Sequence, residues 1–159
     1  MVGAQTNRLT TGRILFFAVG LAVFGLDRLS KYLVVASIPD NTEIGPYLGF
    51  FWIQHIQNSC AAFSLCGPTQ LVFLAISLAV VIALFVYELR LEASAWTHAI
   101  LGLVWGGVAG NGLDRLLFGS VTDFFAVHWF PTFNVADSAI TVGVTALVLE
   151  YLLRRRPSG

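Results

Sequence analysis

Hydrophobic positions divide the chain into four long apolar runs, separated by one short polar link and two longer connections of mixed character. The runs cover about residues 14–38, 71–89, 96–113 and 135–153. Each is close to the roughly 20 residues of helix needed to cross the hydrocarbon of a bilayer. Because Arg8 and Arg13 precede it, the first run could be taken for a cleaved leader. It carries Asp27, Arg28 and Lys31 and lacks a clear small-residue cleavage site, so it is expected to be a retained span.

The two longer connections are not ordinary hydrophilic loops. "GFFWIQHIQ" (49–57) and "VTDFFAVHWF" (121–130) are rich in aromatic and β-branched residues and partly alternate. They predict short strands or interfacial segments, with Trp52 and Trp129 at headgroup level. No internal repeat, low-complexity tract or soluble linker interrupts this pattern.

Composition sharpens the picture. The 159 residues are 57% hydrophobic and 11% charged, with a mean hydropathy of +0.78. Soluble domains carry about a quarter charged residues, so this chain lacks the polar surface to cover itself in water. A single integral-membrane domain over 1–159 is expected. The formal net charge of zero suggests neither a nucleic-acid partner nor an acidic substrate. Cys60 and Cys66 form neither a disulfide framework nor a metal pattern and are expected to be mostly unbridged.

Four spans place both termini on one side. Arg8, Arg13, Arg154, Arg155 and Arg156 lie in the tails, whereas 39–70 has no Lys or Arg and carries Asp40 and Glu43. The positive-inside rule then makes both termini cytoplasmic and turns the two longer connections outward. On that topology Asp27 and Lys31 lie in the outer half of span one. Asn111, Asp114 and Arg115 end span three, Asp137 begins span four, and Asn58 and Asp123 lie in the outer connections. The unusual polar groups meet at one level, near the outer boundary of the hydrocarbon. The inner halves are almost free of ionisable groups, with His98 and Glu150 near the ends.

Several of these groups have plain structural readings. Asp27 and Lys31, four apart, share a helix face and can simply pair. Arg28 falls off that face and is expected to reach a headgroup. Gly102, Gly106 and Gly110 make a small-residue face for close helix approach, which could also leave room for an incoming helix. Asn111, Asp114 and Arg115 either brace a neighbouring site or terminate the span. Asp123 and Asp137 differ, because neither has a basic residue at helical pairing distance. Two carboxyls brought together share a proton, and such a pair can deprotonate a water while hydrogen-bonding a carbonyl. The bland alternative is that Asp137 caps span four. His55, His98 and His128 are not at ligand spacing, so no metal site is expected.

In order, "DRLSK" (27–31), "NSCAAFSL" (58–65), "GNGLDR" (110–115), "VTDFF" (121–125) and "FNVADSAI" (133–140) resemble bacterial lipoprotein signal peptidase, or signal peptidase II, over nearly the whole chain. The resemblance implies an aspartic endopeptidase of the bacterial inner membrane that needs no cofactor. It would cut prolipoproteins before a diacylglyceryl-modified cysteine, with membrane lipids as its other partners. It makes Asp123 and Asp137 the catalytic pair, with Asp27, Lys31, Asn58, Asn111, Asp114, Arg115 and Asn134 as supporting or substrate-binding residues. The sequence departs from the family pattern where Ser59 stands for a usual threonine, Cys60 for a glycine, Arg28 for a glutamine and Ala126 for an acidic residue. The stretch between the two aspartates is also shorter than is common.

The resulting expectation is an all-α membrane protein of four transmembrane helices with a small extracytoplasmic β-like platform, its active site near the extracytoplasmic face. A proton-coupled transporter using Asp27, Asp114, Asp123 and Asp137 as a relay is the alternative from another class. A purely structural subunit is a third, but it leaves two unpaired carboxylates without a purpose.

Overall fold

The computed structural model describes residues 2–59 and 70–154, with side chains from residue 10 onward. Cys60, Cys66, Arg155 and Arg156 lie outside the described residues. The chain runs α1 (Val2–Ser37), β1 (Glu43–Tyr47), β2 (Phe51–Asn58), α2 (Gln70–Arg90), α3 (Ala95–Phe118), β3 (Val121–Val127), β4 (Phe130–Phe133) and α4 (Val135–Arg154). It is mostly helical, with one antiparallel sheet in the order β1-β2-β3-β4.

The four expected spans are four helices, but two ends differ. Helix α1 begins well before residue 14, and α3 continues past residue 113 until Gly119 stops it. Gly119 adopts φ 69°, a left-handed conformation that glycine tolerates at a helix end, and its N–H bonds Arg115 O at 3.1 Å. Asn111 and Asp114 therefore lie inside the helix, and Arg115 lies in its last turn. At the other end of α3, the Ser94 hydroxyl accepts the Thr97 N–H and caps the first turn. Among the described residues, α2 and α4 are long and apolar enough to cross a membrane. Helices α1 and α3 carry the charged and polar clusters.

The aromatic connections form the sheet. The 49–57 segment supplies β2, and the 121–130 segment supplies β3 before turning at His128 and Trp129. The flanking strands β1 and β4 complete the sheet and were not evident from the alternation. Along β3, successive side chains point to opposite faces. Phe124 packs with Val34 of α1 and with Ile38 just beyond its end, which seats the platform on the end of that helix. His55 strengthens the junction, its Nδ1 lying 2.8 Å from Ile38 O.

Helix α3 is the centre of the bundle. A Cβ at Gly102 would lie 2.5 Å from Phe16 O, and one at Gly106 would lie 2.3 Å from Gly20 O. The glycine face is thus filled by α1, as close helix approach requires, and leaves no room there for an incoming helix. Gly106→Ala forces two backbones apart, an overpacking cost of about 1–3 kcal/mol. A lower melting temperature than the parent in detergent is the expected result, and an unchanged one would show that the contact yields freely.

Candidate active site

The end of the bundle beneath the sheet gathers Asp27, Arg28 and Lys31 from α1, Asn111, Asp114 and Arg115 from α3, and Asn134 and Asp137 at the start of α4. Asn58 and Asp123 reach it from β2 and β3. All nine candidate site residues named from the sequence meet there, and Arg28 joins them.

Asp137 is placed by the helix start. The Asn134 side chain accepts the Asp137 N–H at 2.9 Å, while Asp137 Oδ2 accepts the Asn134 N–H at 3.2 Å. This is a reciprocal capping box. Asn134 is therefore the cap and Asp137 its partner one turn in, rather than Asp137 capping alone. Asp137 Oδ1 remains available and accepts Asn111 Nδ2 at 2.7 Å.

Asp123 is placed by the sheet. Asn58 pairs with Val121 in the β2–β3 register, so Asp123 is its diagonal neighbour on the same face. Asn58 Nδ2 donates to Asp123 Oδ2 at 2.8 Å, and Asn134 Nδ2 donates to Asp123 Oδ1 at 2.7 Å. Asn134 consequently touches both carboxyls, Asp123 through its side chain and Asp137 through its backbone. Each of the four carboxyl oxygens has one N–H donor, which fixes both groups without neutralising either.

Burial pushes the Asp123 carboxyl up to about 6, with the Asp137 charge adding to the rise and the Asn58 and Asn134 hydrogen bonds and the Lys31 charge opposing it. Only 3% of Asp123 is exposed. A carboxyl in this setting can hold a proton at mildly acidic pH and deliver a hydrogen bond.

Behind the pair lies a buried ionic cluster. Lys31 Nζ is 2.8 Å from Asp27 Oδ2, as the spacing predicts, and also 2.8 Å from Asp114 Oδ2. Arg28 does not reach outward to a headgroup; its guanidinium folds back onto Asp114 Oδ1, with its Nε 3.7 Å from Asp27. Two buried carboxylates on neighbouring helices attract the long side chain more strongly than solvent does. Arg115 lies over the Phe73 ring at 5.8 Å and donates to Asn111 O at 3.3 Å. Its charge acts on Asp114, Asp123 and Asp137. Arg28, Lys31 and Arg115 balance Asp27, Asp114 and one negative charge on the Asp123 and Asp137 pair. The cluster is neutral when that pair holds a single proton.

At the opposite end of the bundle, His98 Nδ1 is 2.6 Å from Glu88 Oε1, both fully buried, and Arg13 donates to Leu89 O at 2.8 Å. Glu88 was not among the groups expected at that end, although "FVYELR" (85–90) places it inside an apolar run. His128 stacks on Trp52 with ring centroids 3.6 Å apart, so the three histidines occupy three separate places.

Comparisons with known proteins give the family and the fold of the chain. The sequence profile described as signal peptidase (SPase) II matches residues 19–153. A lipoprotein signal peptidase of Dehalococcoides mccartyi is 39% identical over 156 residues, covering 95% of this chain and 96% of that protein. One of Syntrophomonas wolfei is 38% identical over 138 residues, covering 87% and 93%. Among solved structures, a bacterial membrane enzyme determined in meso at 2.3 Å resolution has a TM-score of 0.81 at 24% identity. That likeness of fold covers 91% of this chain and 93% of the other.

Proposed function

The chain belongs to the signal peptidase II family, and on that footing we propose that Asp123 and Asp137 are its catalytic pair, cleaving the signal peptide from prolipoproteins during lipoprotein maturation. The observation that carries the assignment is Asn134, which holds both carboxyls at once. The pair shares one proton and binds a water. The ionised member accepts a proton as the water attacks the scissile carbonyl, and the protonated member hydrogen-bonds the developing oxyanion. Asn58, Asn111 and Asn134 orient the two carboxyls, while Asp27, Lys31, Asp114 and Arg115 supply the charge balance around them.

All four helices cross the bacterial inner membrane as one domain, with both termini cytoplasmic and the pair near the extracytoplasmic face. The charges on α1 and α3 are tolerated because they meet one another inside the bundle. The exposed apolar side chains of α2 and α4 face lipid. At that depth the scissile bond lies at the membrane boundary, where a diacylglyceryl group on the adjacent cysteine anchors it in the leaflet.

The relay reading fails on spacing. Between the two polar ends, residues 14–26, 71–87, 99–110 and 138–149 contain no Asp, Glu, Lys, Arg or His. A proton path across the bundle has no acidic, basic or imidazole side chain to step through there. The test of the proposed activity is incubation of the purified protein in detergent with a lipidated prolipoprotein. Mass spectrometry is expected to find a product beginning at the lipid-modified cysteine. Intact precursor after prolonged incubation with folded protein would refute the assignment.

A further inference from the structure

One ammonium joins two matching backbone clamps. On the α4 side, Asp27 Oδ1 accepts the N–H of Ala136, the residue before Asp137, at 3.1 Å. On the sheet side, Asp114 Oδ2 accepts the N–H of Thr122, the residue before Asp123, at 3.3 Å. Lys31 Nζ lies 2.8 Å from Asp27 Oδ2, 2.8 Å from Asp114 Oδ2 and 2.8 Å from Asn111 Oδ1. The ammonium hydrogen-bonds the Asn111 oxygen and is ion-paired with both carboxylates, so it faces three oxygens at once.

The third contact decides how Asn111 faces. With its oxygen toward Lys31 and toward Asn134 Nδ2 at 3.2 Å, its amide nitrogen points to Asp137 Oδ1 at 2.7 Å. A reversed amide would set N–H against N–H at Lys31 and oxygen against oxygen at Asp137. Lys31 is 3% exposed, Asp27 0% and Asp114 1%, so water cannot substitute freely for any of these contacts.

We propose that Lys31 is the positioning residue of the pair: through Asp27, Asp114 and Asn111 it sets how far apart the Asp123 and Asp137 carboxyls stand and which donors they receive. It does this without touching substrate, and the inference rests on the assignment of those carboxyls as catalytic. Charge neutralisation alone does not account for the arrangement. Arg28 already pairs with Asp114, yet no contact runs from it to Asn111. The groups whose charges act on Asp123 are Asp137 of α4, Lys31 of α1 and Arg115 of α3, with Asn58 and Asn134 as neutral donors.

Lys31→Arg and Lys31→Met separate geometry from charge. Arg keeps the charge, but its planar fork does not match three converging oxygens. With full-length protein in detergent and a lipidated precursor, Lys31→Arg is expected to fold, keep its KM and pH profile, and lose about a hundredfold in kcat. Lys31→Met is expected to lose kcat as well and to move the alkaline limb of its pH profile upward, because Asp123 loses a cation that holds its proton affinity down. Thermal unfolding gives the folded fraction. Wild-type-like kcat in Lys31→Arg overturns the proposal. So does a loss of activity that only follows the folded fraction, or failure of both variants to fold, since Lys31 would then be a structural ion-pair centre. Parallel assays of the parent and of Asp123→Asn keep the outcomes distinct. An inactive parent or an active Asp123→Asn refutes the catalytic pair itself, whatever Lys31 does.

Discussion

Asp123→Asn and Asp137→Asn are each expected to reduce signal-peptide cleavage by about a thousandfold or more, the loss that follows from removing one member of the proposed acid–base pair. An amide can neither accept the water's proton nor alternate between protonation states. Both variants are expected to fold. The buried cluster is neutral when the pair carries one negative charge, and either substitution leaves one carboxylate to supply it. The local cost is a hydrogen-bond mismatch. Both Asp123 oxygens accept N–H groups, from Asn58 and Asn134, and an amide offers only one acceptor, so one donor loses its partner. That costs about 1–3 kcal/mol, too little to explain an inactive but folded protein. Asp123→Asn/Asp137→Asn together should be no worse than either alone, because the proposed mechanism uses the two carboxyls as a unit. Precursor cleavage and thermal unfolding on the same preparations check this. Substantial turnover by either single variant removes the pair from the chemistry.

The parts of this site that were legible in the sequence are those governed by local spacing or by residue type at a given depth. The separation of Asp27 and Lys31 by four residues placed them together, and the glycine spacing on span three announced a close helix neighbour. The aromatic connections announced strands. What escaped were features that depend on distant elements or on the reach of a long side chain. Arg28 is off the face shared by Asp27 and Lys31, yet its guanidinium comes back to Asp114, eighty-six residues away in the chain. The contacts of Asp114 with Thr122 and of Asp27 with Ala136 join residues on different elements, and no periodicity encodes them. Two signals were nevertheless present. An Asn three residues before Asp137 is a capping-box pattern, and Glu88 inside an apolar run asks for a buried partner, which His98 provides. The strands β1 and β4 were hidden because their sequences, "EIGPY" (43–47) and "FPTF" (130–133), contain proline and lack clean alternation. Both lie at the edges of the sheet, where proline is tolerated.

A bell-shaped pH profile and a preference for lipidated substrate are both expected from the proposed pair at the boundary of the bundle. In the proposed mechanism cleavage uses one proton on two coupled carboxyls, so kcat/KM should be bell-shaped and its limbs should belong to the pair. The sign is set by Asp123. Its carboxyl lies at about 6, so raising the pH through that value strips the proton that serves the oxyanion, and kcat/KM falls. At the acid end the pair takes up a second proton, no carboxylate is left to activate water, and the rate falls again. Both steps use only the two carboxyls, so a chelator should leave the rate unchanged, as should a hydroxyl-directed reagent. Depth then selects the substrate. A bond presented at the level of Asp123 and Asp137 must be held there, and acyl chains on the neighbouring cysteine supply that anchorage at about 0.8 kcal/mol per buried CH₂. Removing them leaves the signal helix free to slide along the bundle axis, and near-attack geometry tolerates little displacement, so an unlipidated precursor should be cleaved about a hundredfold more slowly or worse. Measuring both precursors across pH, with and without chelator, examines each step separately. A rate that climbs steadily above pH 6 would remove the shared proton from the mechanism. Chelator inhibition would bring a metal into it, and equal cleavage of the two precursors would sever the link between depth and selectivity.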